Sequence, residues 1–306
     1  LIEGIEMEFK AEYIELFDRV QIRYYGIIIV AAMLIAAFVV ARLVKRKGLD
    51  PDHVWGALTW AIIPAIIGAR LWYVFFPPIS AVAGCTAPGV GENCLDTTYL
   101  LTNFFNLQNG AIAIWSGGLS IFGAVIGGGL GAVLYLRSHK LAFWTWLDFA
   151  GVGLPLGQAI GRWANFVNQE LYGIPTTLPW GITIERSKRV APYTSSVDYP
   201  PDTLFHPLFL YESIWNFIAF AVLLRLSLKP PKWMRPGDIF LLYIMQYSVI
   251  RFLLEFLRVE VTLVAGINWS QVVTVIAFAL ALIVFVLRRG TAPASADSAT
   301  PAAQNK

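Results

Sequence analysis

Residues 147–173 read LDFAGVGLPLGQAIGRWANFVNQELYG: an apolar run that ends abruptly in an arginine, two asparagines and a glutamate. In a soluble protein such a cluster would mark an ordinary helix end. Composition argues otherwise. The chain has 306 residues, of which 57% are hydrophobic and only 14% charged, whereas a soluble domain carries about 25% charged residues. Stretches of about 20 apolar residues, enough to cross a bilayer, recur along it. The fold class is therefore all-α, a polytopic membrane protein, and the polar cluster falls at the end of a membrane span.

Seven transmembrane helices are predicted, near 24–44, 54–76, 110–136, 141–165, 208–228, 237–258 and 267–288. The third is rich in glycine (GGLSIFGAVIGGGLGA), which suits close helix packing in lipid. KRK at 45–47, RSHK at 137–140, KPPKWMR at 229–235 and RR at 288–289 fall on alternate connections. By the positive-inside rule these are cytoplasmic, so the N-terminus lies outside and the C-terminus inside. The net charge of +3 then reflects topology and gives no reason to expect nucleic acid as a partner.

Outside the spans, residues 1–23 mix acids with apolar positions and read as a short interfacial helix. They lack the basic start and clean apolar core of a signal peptide, and an opening on Leu1 points to a slight truncation. The segment near 78–109 holds both cysteines, Cys85 and Cys94. An oxidising exterior permits a disulfide there, with two free thiols as the alternative. The segment around 168–205 is the longest and turn-rich, so a small extracytoplasmic head is expected above a transmembrane domain spanning 24–288. Residues 289–306, rich in Ala, Ser and Pro, read as a disordered cytoplasmic tail.

Charges inside apolar spans are costly and usually mark a functional cavity. Arg70, Arg162 and Arg251 lie on three spans that all run outward. They are about 16, 21 and 14 residues in, or about 24, 32 and 21 Å from the cytoplasmic edge at about 1.5 Å per residue. Gln158, Arg162, Asn165 and Gln169 share one helix face, as do Tyr247, Arg251, Glu255 and Arg258. Two polar stripes in apolar helices face each other or a wet cavity rather than lipid. The planar fork of arginine holds phosphate through paired hydrogen bonds, and phospholipid headgroups supply that anion. A plain i,i+4 pair between Arg251 and Glu255 and a snorkelling Arg258 are the competing structural reading. Arg70 is the weakest member of the set, structural or indirect in its action.

The stretch GRWANFVNQELYG resembles the signature of the prolipoprotein diacylglyceryl transferase family, carried here by Gly161, Arg162, Ala164, Asn165, Phe166, Asn168, Glu170 and Gly173. RYYG with Tyr25, GARLWY with Arg70, IWSGGLS at 114–120, HPLFLYES with His206, Tyr211 and Glu212, and VIRFLLEFLR with Arg251, Glu255 and Arg258 extend the likeness in order from about residue 20 to 288. The resemblance implies a bacterial inner-membrane enzyme that moves the diacylglyceryl group of phosphatidylglycerol onto the lipobox cysteine of a prolipoprotein signal peptide, releasing glycerol phosphate. On that reading Arg162, Arg251 and Glu255 are catalytic. Tyr25, Arg70, Asn165, Asn168, Glu170, Tyr247 and Arg258 bind substrate, and the glycine-rich third span leaves room for acyl chains or the signal helix. No metal and no cofactor is expected, since the three histidines are scattered and phosphate is the leaving group.

Two residues depart from the family pattern. Ala164 replaces a glycine, small for small. Phe122 stands where the pattern has a histidine, and phenylalanine cannot accept a proton. Arginine electrostatics are expected to take over part of that work by favouring the thiolate, with His206 as the fallback base. A lipid-binding relative without catalysis and a lipid or anion transporter are the alternative functions.

Overall fold

The computed structural model describes residues 7–9, 13–16, 20–77, 95–108, 110–114, 117–195, 197–259, 261, 263–264 and 266–290. Cys85, Cys94 and the tail at 291–306 lie outside the described residues. Among those described there are eight α-helices: α1 (Tyr24–Arg46), α2 (Asp52–Phe75), α3 (Thr97–Thr102), α4 (Ile121–Ser138), α5 (Phe143–Asn168), α6 (Leu208–Leu228), α7 (Asp238–Leu254) and α8 (Trp269–Gly290). Five of them, α1, α2, α4, α6 and α8, are long and apolar enough to cross a bilayer. The other two long helices are those with polar stripes. Helix α5 has 26 residues but carries Gln158, Arg162, Asn165 and Asn168, and α7 has only 17 and carries Arg251.

Two expectations are corrected. Among the described residues before α1 there is no helix: β1 (Met7–Phe9), β2 (Tyr13–Leu16) and β3 (Val20–Arg23) form an antiparallel sheet in that order, with Tyr13 opposite Arg23 and Met7 opposite Leu16. MEF, YIEL and VQIR alternate with a period of two, which is the strand pattern rather than the helical one. Helix α4 starts at Ile121, about ten residues later than the predicted third span. Residues 110–114 and 117–120 form a loop, apolar in content but bent through Gly117 (φ 92°) and Gly118 (φ 68°).

The chain divides into two compact units, residues 41–146 and residues 1–40 with 147–306. In the first, α2 packs along α4. Gly123, Gly127 and Gly131 are buried at four-residue spacing, and a Cβ at these positions would strike the backbone of Gly68, Pro64 and Trp60. The glycine stripe is therefore filled by α2. Arg70 holds the loop. Its Nε donates to Ala111 O at 2.8 Å, Nη1 to Gly117 O at 2.7 Å and Gly118 O at 3.0 Å, and Nη2 to Gly110 O at 2.6 Å.

In the second unit α5 is the central helix. Gly153 and Gly157 face Val40 and Ala36 of α1, and Gly151 faces the backbone of Phe240. Asp148 accepts from the backbone N–H of Gly237 at 2.7 Å and Phe240 at 3.1 Å, capping the start of α7 as an acidic group at a helix N-terminus should. Ser213 of α6 donates to Ala159 O at 2.7 Å. Between α5 and α6, residues 169–207 contain the pair β4 (Ile182–Thr183) and β5 (Leu204–Phe205) around a core of Tyr172, Ile184 and Phe205. Arg189 is buried there and donates to the carbonyls of Ile184, Tyr199, Pro200 and Pro201. A last hairpin, β6 (Leu263–Val264) with β7 (Ile267–Asn268), precedes α8.

Candidate functional site

The signature stretch forms the last two turns of α5 and the turn beyond. Gly161 leaves room for Ile29 of α1, and Ala164 is fully buried, so only a small side chain fits there. After Asn168 the helix ends, and Gln169 (φ 54°) and Leu171 (φ 56°) adopt left-handed backbone. This reverses the chain enough for Glu170 to reach back, where Oε1 accepts from Asn165 Nδ2 at 2.7 Å. Gly173 then donates its N–H to His206 O at 2.9 Å, and Ile174 donates to Leu257 O at 2.8 Å. A Cβ on Gly173 would lie 2.8 Å from both His206 Cβ and Leu257 O. The final glycine of the motif is thus required by a close approach of backbones.

Arg162 points from α5 toward α6 and α7. Its Nη2 donates to Glu212 Oε1 at 2.5 Å and lies 3.5 Å from Tyr247 OH, while Nη1 donates to Asn165 Oδ1 at 3.2 Å. Arg251 of α7 approaches the other oxygen of the same carboxylate, Glu212 Oε2, at 3.7 Å. It also pairs with Glu255 Oε2 at 3.0 Å, and Arg258 pairs with that oxygen at 3.7 Å. Three helices are therefore joined in one chain of charges, Arg162–Glu212–Arg251–Glu255–Arg258. Both carboxylates are buried, with side chains 4% and 1% exposed, whereas the three arginine side chains keep about a fifth of their surface open. The cations are the accessible members.

A cleft opens onto this chain. Arg162, Asn165, Glu212, Arg251 and Arg258 supply its polar wall, and Leu171, Leu208 and Phe209 close it. Three cations against two buried carboxylates leave one positive charge in excess, which suits a negatively charged group. Beside it, between α5 and α6, runs an apolar groove of about 350 Å³ lined by residues that include Trp163, Leu210, Ile214 and Phe217.

The structure brings together Arg162, Arg251, Glu255, Arg258, Asn165, Glu170 and Tyr247. Tyr25, at the start of α1, is close enough to Glu170 and Arg162 to feel both charges. Asn168 closes α5 as its last residue. Arg70 is engaged entirely within residues 41–146. His206 does not line the cleft: its Nδ1 is 3.1 Å from Tyr211 OH, which accepts from Trp180 Nε1 at 2.9 Å. Phe122, on α4, packs its ring 5.8 Å from that of Trp72. The site residue that sequence reasoning misses is Glu212, which joins the two arginines. A signal for it exists, since Glu212 is the lone acid in the apolar stretch 207–228.

The chain is similar to known proteins over most of its length. A family model described as prolipoprotein diacylglyceryl transferase matches residues 12–287. A phosphatidylglycerol–prolipoprotein diacylglyceryl transferase from Chloroflexus aggregans is 40% identical over 256 residues, covering 81% of this chain and 76% of that protein. Enzymes of the same name from Nostoc sp. and Acaryochloris marina are each 35% identical, covering 86% of this chain and 84% and 85% of theirs. The chain belongs to the prolipoprotein diacylglyceryl transferase family.

Proposed function

We propose that this protein transfers the diacylglyceryl group of phosphatidylglycerol to the lipobox cysteine thiol of a prolipoprotein signal peptide, forming a thioether and releasing glycerol phosphate. The observation that carries the proposal is the cleft walled by Arg162, Arg251 and Arg258, within a segment of apolar helices where an isolated cation is expensive. A phosphodiester matches the paired N–H donors that each guanidinium offers. As the phosphate leaves, charge builds on its oxygen, and fixed cations in a water-poor site stabilise that charge most where it develops. Arg162 and Arg251 act on the phosphate, and Asn165 offers its second amide proton. Glu170 and Glu255 hold these groups in place, and Tyr25, Tyr247 and Arg258 bind the headgroup together with Asn168. The groove between α5 and α6 suits an acyl chain. Arg70, with its donors spent on carbonyls, stays out of the clamp.

On the same reading the protein lies in the bacterial inner membrane with seven spans, α5 and α7 joining the five more apolar helices, the N-terminus outside and the C-terminus inside. The basic connections at 45–47, 137–140, 229–235 and 288–289 support that orientation. An impermeant maleimide should label Cys85 or Cys94 in intact cells after mild reduction. Labelling only after lysis would reverse the orientation. For the reaction itself, purified protein is incubated with labelled phosphatidylglycerol and a lipobox peptide. Labelled thioether is expected. Bound lipid without product would make it a binding protein, and label crossing vesicle leaflets would make it a transporter.

A further inference from the structure

A thiol with a reference pKa of about 8.5 is only a few per cent ionised near pH 7, so transfer to it gains from a proton acceptor. Of the side chains lining the cleft, Glu212 alone can fill that role. Arginines keep their protons, and amide and hydrocarbon groups offer no basic site. Yet Glu212 has both oxygens turned to guanidiniums, Oε1 to Arg162 at 2.5 Å and Oε2 to Arg251 at 3.7 Å. Tyr243 and Tyr247 of α7 also face it, while Glu255 and Glu170 are held behind, on Arg251 and Asn165. The free space in the cleft is about 10 Å³, room for about one water molecule. A phosphate group is several times larger, and it needs the same N–H donors that Glu212 occupies.

We propose that Glu212 is a displaceable carboxylate, holding Arg162 and Arg251 until the lipid phosphodiester takes over their donors and then accepting the proton of the incoming cysteine thiol. The proposal rests on the diacylglyceryl-transfer reading. The S–H proton moves to a Glu212 oxygen. The sulfur electron pair forms an S–C bond to the glycerol carbon of the diacylglyceryl group, and the bond from that carbon to the phosphate oxygen breaks. Its electron pair departs on glycerol phosphate, held by Arg162 and Arg251. Glu212 then passes the proton to the departing phosphate, and the restored carboxylate competes for the arginines and helps expel the product. No oxidant, reductant or further reactant is required.

Glu212→Gln preserves shape and removes both charge and basicity. With the competing anion gone, phosphatidylglycerol in detergent micelles should bind about tenfold tighter, one 1.4 kcal/mol step. Thioether formation should fall about 10²–10⁴-fold, the usual worth of a general base. The residual rate should climb with pH toward the thiol pKa of about 8.5, whereas the wild-type rate levels off at lower pH. Glu212→Asp retains the anion on a shorter arm and should keep near-wild-type affinity with part of the rate, which covers the case of a Gln variant that does not fold. Weaker lipid binding in Glu212→Gln, or pH profiles that run parallel in variant and wild type, would overturn the proposal and leave Glu212 as a positioning residue. The binding measurement needs no turnover. Wild-type protein that binds lipid and makes no thioether would therefore sink the transfer reading, and the affinity of Glu212→Gln would still decide whether the carboxylate is displaced.

Discussion

Arg70 and Arg162 look alike as residues in a chain: each is an arginine toward the C-terminal end of a long apolar helix. Their surroundings differ in kind. Arg70 sends its guanidinium into the carbonyls of residues 110, 111, 117 and 118 and is 6% exposed. Backbone carbonyls cannot leave without unfolding the loop, so this charge is committed to architecture, as is that of Arg189 in the segment before α6. Arg162 faces Glu212, Asn165 and Tyr247, side chains that can rotate away and be replaced. On the proposed reading, an arginine held by exchangeable partners in the wall of a cleft is the one that meets the ligand. The difference is read from the acceptors, not from the arginine.

That contrast gives the largest expected effect. Arg162→Ala or Arg251→Ala should weaken binding of phosphatidylglycerol and abolish transfer, because losing a hydrogen-bonded charge partner in such a site costs about 2–5 kcal/mol, or about 30- to several-thousand-fold. Lysine should rescue poorly, since it lacks the fork. Lipid displacement and labelled-thioether assays on the same preparations check this. Near-normal turnover in both alanine variants would break the comparison, making Arg162 and Arg251 as structural as Arg70.

Arg70→Ala should fail in the opposite way. Four carbonyls lose their donor, which should lower stability by about 2–4 kcal/mol and the melting temperature in detergent with it, while the lipid affinity of the folded fraction is kept. Affinity lost in step with that of the Arg162 variant would put Arg70 back among the binding residues.

These cases show how much of the molecule is legible in the sequence. Helix α6 is legible to the residue, because Pro207 and the Lys229–Pro230 pair punctuate it in a chain otherwise short of signals. The facing stripes on α5 and α7 are legible too, since polar residues at helical spacing within hydrocarbon must turn toward protein or a wet cavity. Arg70 is not: its partners are backbone groups some 40 residues later, and backbone acceptors carry no sequence signal. Residues 110–120 read as part of a span because apolar content alone does not separate a buried loop from a helix. At 7–23 the period-two alternation is present, and an amphipathic helix beside a membrane is a strong enough expectation to outweigh it.

Gly173 sharpens the comparison on a smaller scale. It belongs to neither arginine mode, yet the backbone contact it permits sets Leu257 and Arg258 against the end of the signature. Gly173→Ala should cost about 1–3 kcal/mol through overpacking against His206 Cβ and Leu257 O. Because Arg258 and Glu255 are displaced together, transfer should fall more than lipid affinity does. An unchanged melting temperature together with unchanged transfer would mean the neighbouring backbone at His206 and Leu257 yields without consequence.

The smallest effect is expected at Phe122. The family pattern that this chain resembles has a histidine there, and a phenylalanine leaves no proton acceptor at that position. If the acceptor in this protein is Glu212, the reaction is already served by a base, and Phe122→His should change the transfer rate by less than about threefold. A general base is worth about 10²–10⁴-fold where none exists, so the two cases are well separated. The ring of Phe122 is half exposed and touches Trp72, so the smaller imidazole should be accommodated and a failure to fold is not expected to obscure the result. The decisive form of the measurement pairs the substitution with Glu212→Gln. In that background the histidine has no competitor, and recovery of the lost rate, with an inflection near the ordinary imidazole pKa of about 6.5, would show that Phe122 and Glu212 serve the same thiol. A gain of a hundredfold or more from Phe122→His in the otherwise unchanged protein would mean that Glu212 never takes the proton and that the natural chain works without a base.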